Sequence, residues 1–503
     1  MKHGRPRALL IVPPIYDFAL YDLHIAPFGL VRIGRQLSRA GYEVHLVDAL
    51  AIDDTRSRKR LRSPRRYRDG TGKLFRRQVE WPLGPPPLER SFARYGIVEE
   101  SLKERVEAAF GRHEPDIVLV TSGMTYWYPG VVEAVRIVRE TYSDPPVCVG
   151  GIYATLLPQH CAEQTGADEV FAGDAVSVLP TFLSGIGLPP PSRGPVTNVV
   201  ASGRGSAAVR LNDGCPYRCD YCASHRLAPR FTSGNAVAAF AEVEEAFEGM
   251  GVRNFAFYDD ALLVNKGAVL HEFLERVISR WPQEPAPHFY LPNAVHMRHL
   301  DGETARLMYR ARVEEIRLGY ESDSLEFHES HDAGRIGTIL GDGGPLPRPE
   351  PTRPKRARTD QPSSDDNVRR GSVATGSKAQ GVDPPEIVDT LRGAGFGPTQ
   401  IGVYTLAGLP RQSREEVHRT VLAAGELGVN VFVSEFSPVP GSALWDRCVE
   451  AGSFPISEEP LYQNNTLLPM AWEGFTHADL AQVKETAAEY RRQLRATTAR
   501  LDA

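Results

Sequence analysis

The feature that most limits the folds open to this chain is a strand-then-helix alternation that runs, stops at a Gly/Pro-rich stretch and starts again. In the first run, ALLIVPP (8–14), YEVHLVDA (42–49), DIVLVTSG (116–123), PVCVGG (146–151) and DEVFAGD (168–174) are short apolar segments ending in Gly, Pro or Asp. That is the pattern of buried strands. Amphipathic stretches such as GLVRIGRQLSRAG and GVVEAVRIVRET lie between them, which predicts a doubly wound parallel sheet. Ligands of such sheets bind beyond the carboxyl ends of the strands. Those ends carry Pro13-Pro14, Ser122 to Thr125, Gly150-Gly151 and Gly173-Asp174, small or flexible residues that admit a flat ligand.

The second run supplies AAVRLND (207–213), RNFAFYD (253–259), PHFYLPN (287–293), EEIRLGYE (314–321), QIGVYTLAG (400–408) and NVFVSEF (430–436), with helical stretches between them. Six such units predict an incomplete barrel whose site is at the carboxyl ends of its strands. Val237, Phe240, Val243 and Phe247 are expected on one helical stripe, and Ser413 with Glu416 has capping-box spacing. The boundaries follow: a first domain over 1–183, a linker over 184–206, a barrel over 207–454 and a helical extension over 455–503. Within the barrel, residues 333–381 contain no aromatic residue and abound in Gly, Pro, Ser and Arg, so they read as a disordered insertion.

Charge narrows the partners. Lys and Arg number 58 against 63 Asp and Glu, a net charge of -5, which does not suit a chain that coats nucleic acid or an anionic membrane. The run DTRSRKRLRSPRRYRDGTGKLFRRQ (54–78) reads as a solvated Arg-rich loop, with a phosphate clamp as the alternative. No apolar stretch approaches a membrane span, and MKHGRPRALLIVPPIYDF lacks a cleavage site, so a cytoplasmic protein is expected. In that compartment clustered cysteines bind metal more often than they form disulfides.

Such a cluster is present. DGCPYRCDYCASH (213–225) holds Cys215, Cys219 and Cys222, half of the six cysteines, directly after the first barrel strand. Three thiolates spaced CxxxCxxC suit a small iron–sulfur cluster with one iron left open. A zinc site with His225 as fourth ligand is the competing reading. Cys148, Cys161 and Cys448 are isolated and do not indicate a second cluster.

CxxxCxxC with Tyr221 before its last cysteine resembles the signature of the radical S-adenosylmethionine superfamily. FYDDALL, GYES and LAGLP after later strands are similar to its cobalamin-binding-domain subgroup, and PPIYDFALYD, MTYWYPG and GGIYATLLPQH to a narrower branch of it. The resemblance implies a Rossmann-like, cobalamin-binding sheet followed by a partial (β/α)6 radical S-adenosylmethionine barrel. It implies a [4Fe-4S] cluster on Cys215, Cys219 and Cys222, S-adenosylmethionine on the open iron, and a 5′-deoxyadenosyl radical after one-electron reduction. Asp259 and Asp260 would approach the methionine amino group, Glu321 the ribose, and Gly408, Leu409 and Pro410 the adenine. Loop capping by the Asp pair and a structural role for Glu321 compete with these roles.

Cobalamin would lie at Gly150, Gly151 and Gly173, with Met124, Thr125 and Tyr126 covering its lower face; packing of that loop against the barrel is the alternative. The subgroup's DxHxxG loop is not reproduced. Counting back from Gly29, the cobalt-ligating histidine falls at Ala26, with Asp22 and His24 two residues out of register. The implied reaction is methyl transfer to an unactivated carbon of a small molecule, with flavodoxin or ferredoxin as reductant. A cobalamin-associated rearrangement or cyclisation, and a metal-binding or redox scaffold without turnover, are the alternatives.

Overall fold

The structure is a computed structural model that describes residues 4–85, 88–192, 197–324, 327–328 and 382–501. The insertion expected over 333–381 lies outside the described residues. The N-terminal part contains β1 (Arg7–Val12), β2 (Ile15–Asp17), β3 (Glu43–Asp48), β4 (Arg76–Gln78), β5 (Ala93–Tyr95), β6 (Ile117–Ser122), β7 (Val147–Gly151) and β8 (Glu169–Phe171). Five of them form a parallel sheet in the order β3-β1-β6-β7-β8. Alternate residues of one strand enter different cores: Leu9, Ile11, Val118 and Val120 face one layer of helices, and Ala8, Leu10, Ile117 and Leu119 the other. Burial on both faces is why these strands are continuously apolar.

The Arg-rich run is folded. Its end, β4, pairs antiparallel with β5, which also pairs with β2. Arg56 and Arg60 meet Glu104 and Glu100, and Arg66 reaches Asp22 at 2.8 Å. The basic charge is therefore partly neutralised by neighbouring carboxylates.

The second part contains β9 (Val199–Ala201), β10 (Ser206–Val209), β11 (Asn212–Asp213), β12 (Thr232–Ser233), β13 (Asn254–Phe257), β14 (His288–Tyr290), β15 (Val313–Glu321), β16 (Ile401–Ala407) and β17 (Asn430–Glu435). The large sheet runs β17-β16-β15-β14-β13-β10-β9. Its six strands from β10 to β17 are parallel, the expected partial barrel, and β9 adds an antiparallel edge strand. The stretch 184–206 is therefore not merely a linker: its last third pairs with β10 through Val199↔Val209 and Ala201↔Ala207.

The first barrel helix differs in phase from the expected stripe. Asn235 caps it by accepting from the Ala238 N–H, and the helix widens into a π turn at Glu245–Gly249. Ala236, Ala239, Val243 and Phe247 are buried while Val237 is 46% exposed. The Ser413 half of the expected capping box forms, because the Ser413 hydroxyl accepts from the Glu416 N–H at 3.2 Å.

Several contacts bind the halves together, two of them buried and polar. Arg204, just before β10, donates from Nε to Asp22 at 3.0 Å and from Nη1 to Asp48 at 2.6 Å, with Arg204 and Asp22 almost fully buried. The stretch after the barrel returns to the first sheet: Leu461 and Leu467 join Phe18, Trp81 and Phe92, and Asn464 donates to Asp17 at 3.0 Å. The final helix, His477–Leu501, lies against β17, with Leu480, Val483 and Ala487 in the barrel core.

Candidate functional site

After β10 the chain makes a closed loop. β11 and β12 pair antiparallel, Asn212↔Ser233 and Asp213↔Thr232, and pinch the base of residues 214–231. Gly214 enters this loop at φ +76, and a Cβ there would meet the Arg230 carbonyl at 2.6 Å. Only glycine suits both the backbone and the space. Arg218 holds the loop from within, donating to the carbonyls of Cys215 at 2.9 Å and Tyr217 at 3.0 Å. The Cys222 N–H donates to the Cys219 carbonyl, and the Leu444 N–H to that of Asp220.

These constraints bring Cys215, Cys219 and Cys222 to the wall of one 330 Å³ cavity, with Tyr217, Tyr221, His225, Asp260, Asn293, His296 and Tyr404 around it. The Ser224 N–H lies 3.4 Å and its hydroxyl 3.2 Å from Cys222 Sγ. Both can donate to a thiolate, the usual way a protein stabilises a cluster ligand. Tyr217 stacks on His296 at 4.5 Å and its hydroxyl meets His299. Among the described residues no three Cys, His, Asp or Glu side chains converge as ligands of a single metal ion. Three thiols spread over a cavity wall suit a polynuclear cluster.

The expected S-adenosylmethionine residues separate. Asp259 faces away from the cavity and accepts from the Leu211 N–H at 3.1 Å and the Asn212 N–H at 2.6 Å. Burial pushes its carboxyl up to about 7, against the pull of those N–H groups. It anchors the entry to the cysteine loop, and Asp260 alone of the pair lines the cavity. Glu321 ends β15 at a register shift, with φ 56, and its charge helps raise the Tyr221 hydroxyl, after burial itself. Gly408, Leu409 and Pro410 are not on the cavity wall. A Cβ at Gly408 would meet Leu468 at 2.6 Å, and Leu409 is buried with Phe436, Leu444 and Met470. Packing of the late segment onto this turn removes it from the cavity.

A second cavity, of 890 Å³, lies beyond the carboxyl ends of β6, β7 and β8. Gly150, Gly151 and Gly173 line it as expected, with Leu119, Cys148 and Phe171 beneath. A Cβ at Gly173 would meet nothing within 4 Å, and one at Gly150 only Phe171 at 3.8 Å, so side chains there would project into open space. The opposite wall is barrel: Arg210, Asp213 and Leu227 to Arg230. The cysteine loop thus borders both cavities, with Cys222, Ser224 and His225 lining the smaller and Leu227 to Arg230 with Thr232 the larger.

Met124, Thr125 and Tyr126 do not line the larger cavity. Thr125 donates to the buried Gln463 and Tyr126 is buried, because the returning segment Pro460–Gln463 covers this turn. The packing alternative for this loop is realised against the late segment rather than the barrel strands. His24 is also elsewhere. It is 2% exposed, its ring lies 5.0 Å from Tyr290 of the barrel, and its carbonyl accepts from the Tyr258 hydroxyl. Burial pushes its imidazole down to about 4. Asp22 and His24 are thus out of register with the cobalt-ligand pattern because they dock the first domain on the barrel.

The sequence reading missed Arg218, Ser224, His296 and Tyr404 at the smaller cavity and Arg32, Arg210 and Arg230 at the larger. A signal was available for Arg218 and Ser224, through their positions in and beside the cysteine motif.

Comparison with known proteins agrees with this layout. Residues 96–183 match the B12 binding domain. The chain carries that domain and has the fold of the cobalamin-binding radical S-adenosylmethionine proteins. The solved radical S-adenosylmethionine methyltransferase TsrM from Kitasatospora setae, with tryptophan and a S-adenosylmethionine analogue bound, aligns with TM-score 0.59 and 16% identity over 89% of this chain and 77% of that one. TsrM with cobalamin and a [4Fe-4S] cluster aligns with TM-score 0.58 and 15% identity, over 90% and 76%. An uncharacterised methyltransferase of Pyrococcus horikoshii is 20% identical over 425 residues, 76% of this chain and 77% of that protein. Among the described residues no helix is long and apolar enough to cross a membrane.

Proposed function

We propose that this protein is a radical S-adenosylmethionine methyltransferase that uses cobalamin to methylate an unactivated carbon of a small molecule. The observation that carries the reading is that Cys215, Cys219 and Cys222 all line one cavity, across the same loop from the cavity of the B12-matched domain. The thiols suit a [4Fe-4S] cluster, and the open glycines suit a broad planar cofactor. When bound, the cluster supplies an electron to the sulfonium of S-adenosylmethionine and cobalamin supplies a methyl carrier, chemistry that no side chain performs.

The chain's own work is positioning and exclusion of water. Cys215, Cys219 and Cys222 hold the cluster, and the two Ser224 donors offset the charge on the Cys222 sulfur. Asp260, Asn293 and His296 present polar groups to the amino acid end of S-adenosylmethionine, while Glu321 and the turn at Gly408, Leu409 and Pro410 act from behind the cavity wall. Arg218 and Asp259 position the loop through main-chain contacts. The tilted stack of Tyr217 on His296, beside His299, closes the site on one side. A flavodoxin or ferredoxin in the cytoplasm is the proposed electron donor.

Anaerobically reconstituted protein should be brown, take up cobalamin, and, once reduced, cleave S-adenosylmethionine; Cys222→Ala should lose colour and cleavage together. Stoichiometric zinc without iron uptake would overturn the reading.

A further inference from the structure

The larger cavity has an apolar depth and a basic mouth. Three arginines stand at the mouth, all outside the segment matched to the B12 binding domain: Arg32 on the helix Phe28–Arg39, Arg210 just after β10, and Arg230 on the cysteine loop. Two carboxylates accompany them. Asp213 sits between Arg32 at 3.3 Å and Arg210 at 3.0 Å, and Asp174 is engaged in capping its own helix through the Val176 N–H. The mouth therefore retains a net positive charge. The Nε–H groups of Arg32 and Arg210 are buried and lack a hydrogen-bond partner among the described residues. Those two atoms are enclosed by protein, so the donors open to a ligand are the outer guanidinium nitrogens, on side chains that are 20% exposed for Arg32 and 31% exposed for Arg210. Arg210 is already oriented, its guanidinium 4.4 Å over the Phe28 ring, which lowers the ordering cost of binding.

We propose that Arg32, Arg210 and Arg230 receive the phosphodiester of cobalamin's nucleotide tail. This rests on the cobalamin reading above and extends the cofactor site from the first sheet onto the barrel. A singly charged phosphodiester matches the planar, multi-donor guanidinium better than any neutral part of the corrinoid does. Because Arg230 belongs to the loop that carries the cysteines, the tail would tie cofactor binding to the geometry of that loop.

The test is equilibrium binding to the reconstituted full chain, read from the corrinoid spectrum. Three probes are compared: hydroxocobalamin; cobinamide, which has neither phosphate nor base; and cobinamide phosphate, which has the charge without the base. The wild type should bind hydroxocobalamin and cobinamide phosphate about tenfold or more tighter than cobinamide, as charged hydrogen bonds require. Arg230→Ala, at an exposed position, should lose that preference while cobinamide binding is unchanged, which also shows the variant to be folded. Arg210→Gln should act in the same direction. Equal affinity of the wild type for cobinamide and cobinamide phosphate would overturn the phosphate assignment and leave the cobalamin reading standing. Failure of the wild type to bind any corrinoid would overturn both.

Discussion

Replacing Arg204 by Met removes the cation that, among the described residues, faces both Asp22 and Asp48 at the junction of the two halves. Arg204 and Asp22 are each 1% exposed and Asp48 is 18% exposed, so water cannot take over the bond lost at Asp22 and reaches Asp48 only in part. Breaking a buried ion pair from one side typically costs about 3–5 kcal/mol, because a charge is left uncompensated. Here the cost falls at the lower end. Asp22 keeps Arg66 at 2.8 Å and the Ile25 N–H at 2.8 Å, whereas Asp48 keeps only the Leu50 N–H at 2.7 Å. About 3 kcal/mol corresponds to a fall in Tm of about 6–12 °C for a domain of the size of the first sheet.

The loss should depend on pH with a definite sign. Burial pushes the Asp48 carboxyl up and Arg204 pulls it down, so without Arg204 it rises further. A carboxyl whose folded pKa exceeds its unfolded value stabilises below the unfolded value and loses that contribution as pH rises through the folded one. Arg204→Met should therefore be closer to wild type at pH 5 than at pH 8. Differential scanning fluorimetry of wild type, Arg204→Met and Arg204→Met/Asp48→Asn at both pH values checks this. A shift below about 2 °C at pH 8, small against that expected, or no recovery in the double variant would refute the reasoning.

Three further outcomes follow from the same contacts. His24, held neutral by burial at about 4, makes the native state refuse a proton that the unfolded chain accepts below about 6.5. Wild type should thus lose up to about 3 kcal/mol relative to His24→Phe as pH falls from 6.5 to 4, measured by urea melts. Asp259→Leu strands the Leu211 and Asn212 N–H groups at about 1–3 kcal/mol each and should lower iron per chain, whereas Asp260→Asn should keep the iron and weaken S-adenosylmethionine binding. Gly150→Leu should fold, since its Cβ meets only Phe171 at 3.8 Å, yet fail to take up hydroxocobalamin in a spectrophotometric titration.

The sequence by itself determined the layers of the fold and the place of the cysteine loop. Strand and helix periodicities are local, and parallel strands buried on both faces leave an unmistakable apolar run, so both sheets were legible. Cys215, Cys219 and Cys222 were legible because three thiols lie within eight residues of chain. Tertiary structure alone decided which residues around those thiols face them. Asp259 and Asp260 are adjacent in sequence, but one is turned to the Leu211 and Asn212 N–H groups and the other to the cavity. Met124, Thr125 and Tyr126 stand at a strand end where a ligand is expected, but Pro460–Gln463 arrives from more than 330 residues away, as the Thr125–Gln463 separation of 338 measures, and covers them. The arginines of the larger cavity come from positions 32, 210 and 230, with no spacing that relates them. Arg32 joins the two barrel arginines because the first domain is docked on the barrel, through Asp22, Asp48 and Arg204 among other contacts, and long-range charge pairing of that kind has no period for a sequence pattern to display.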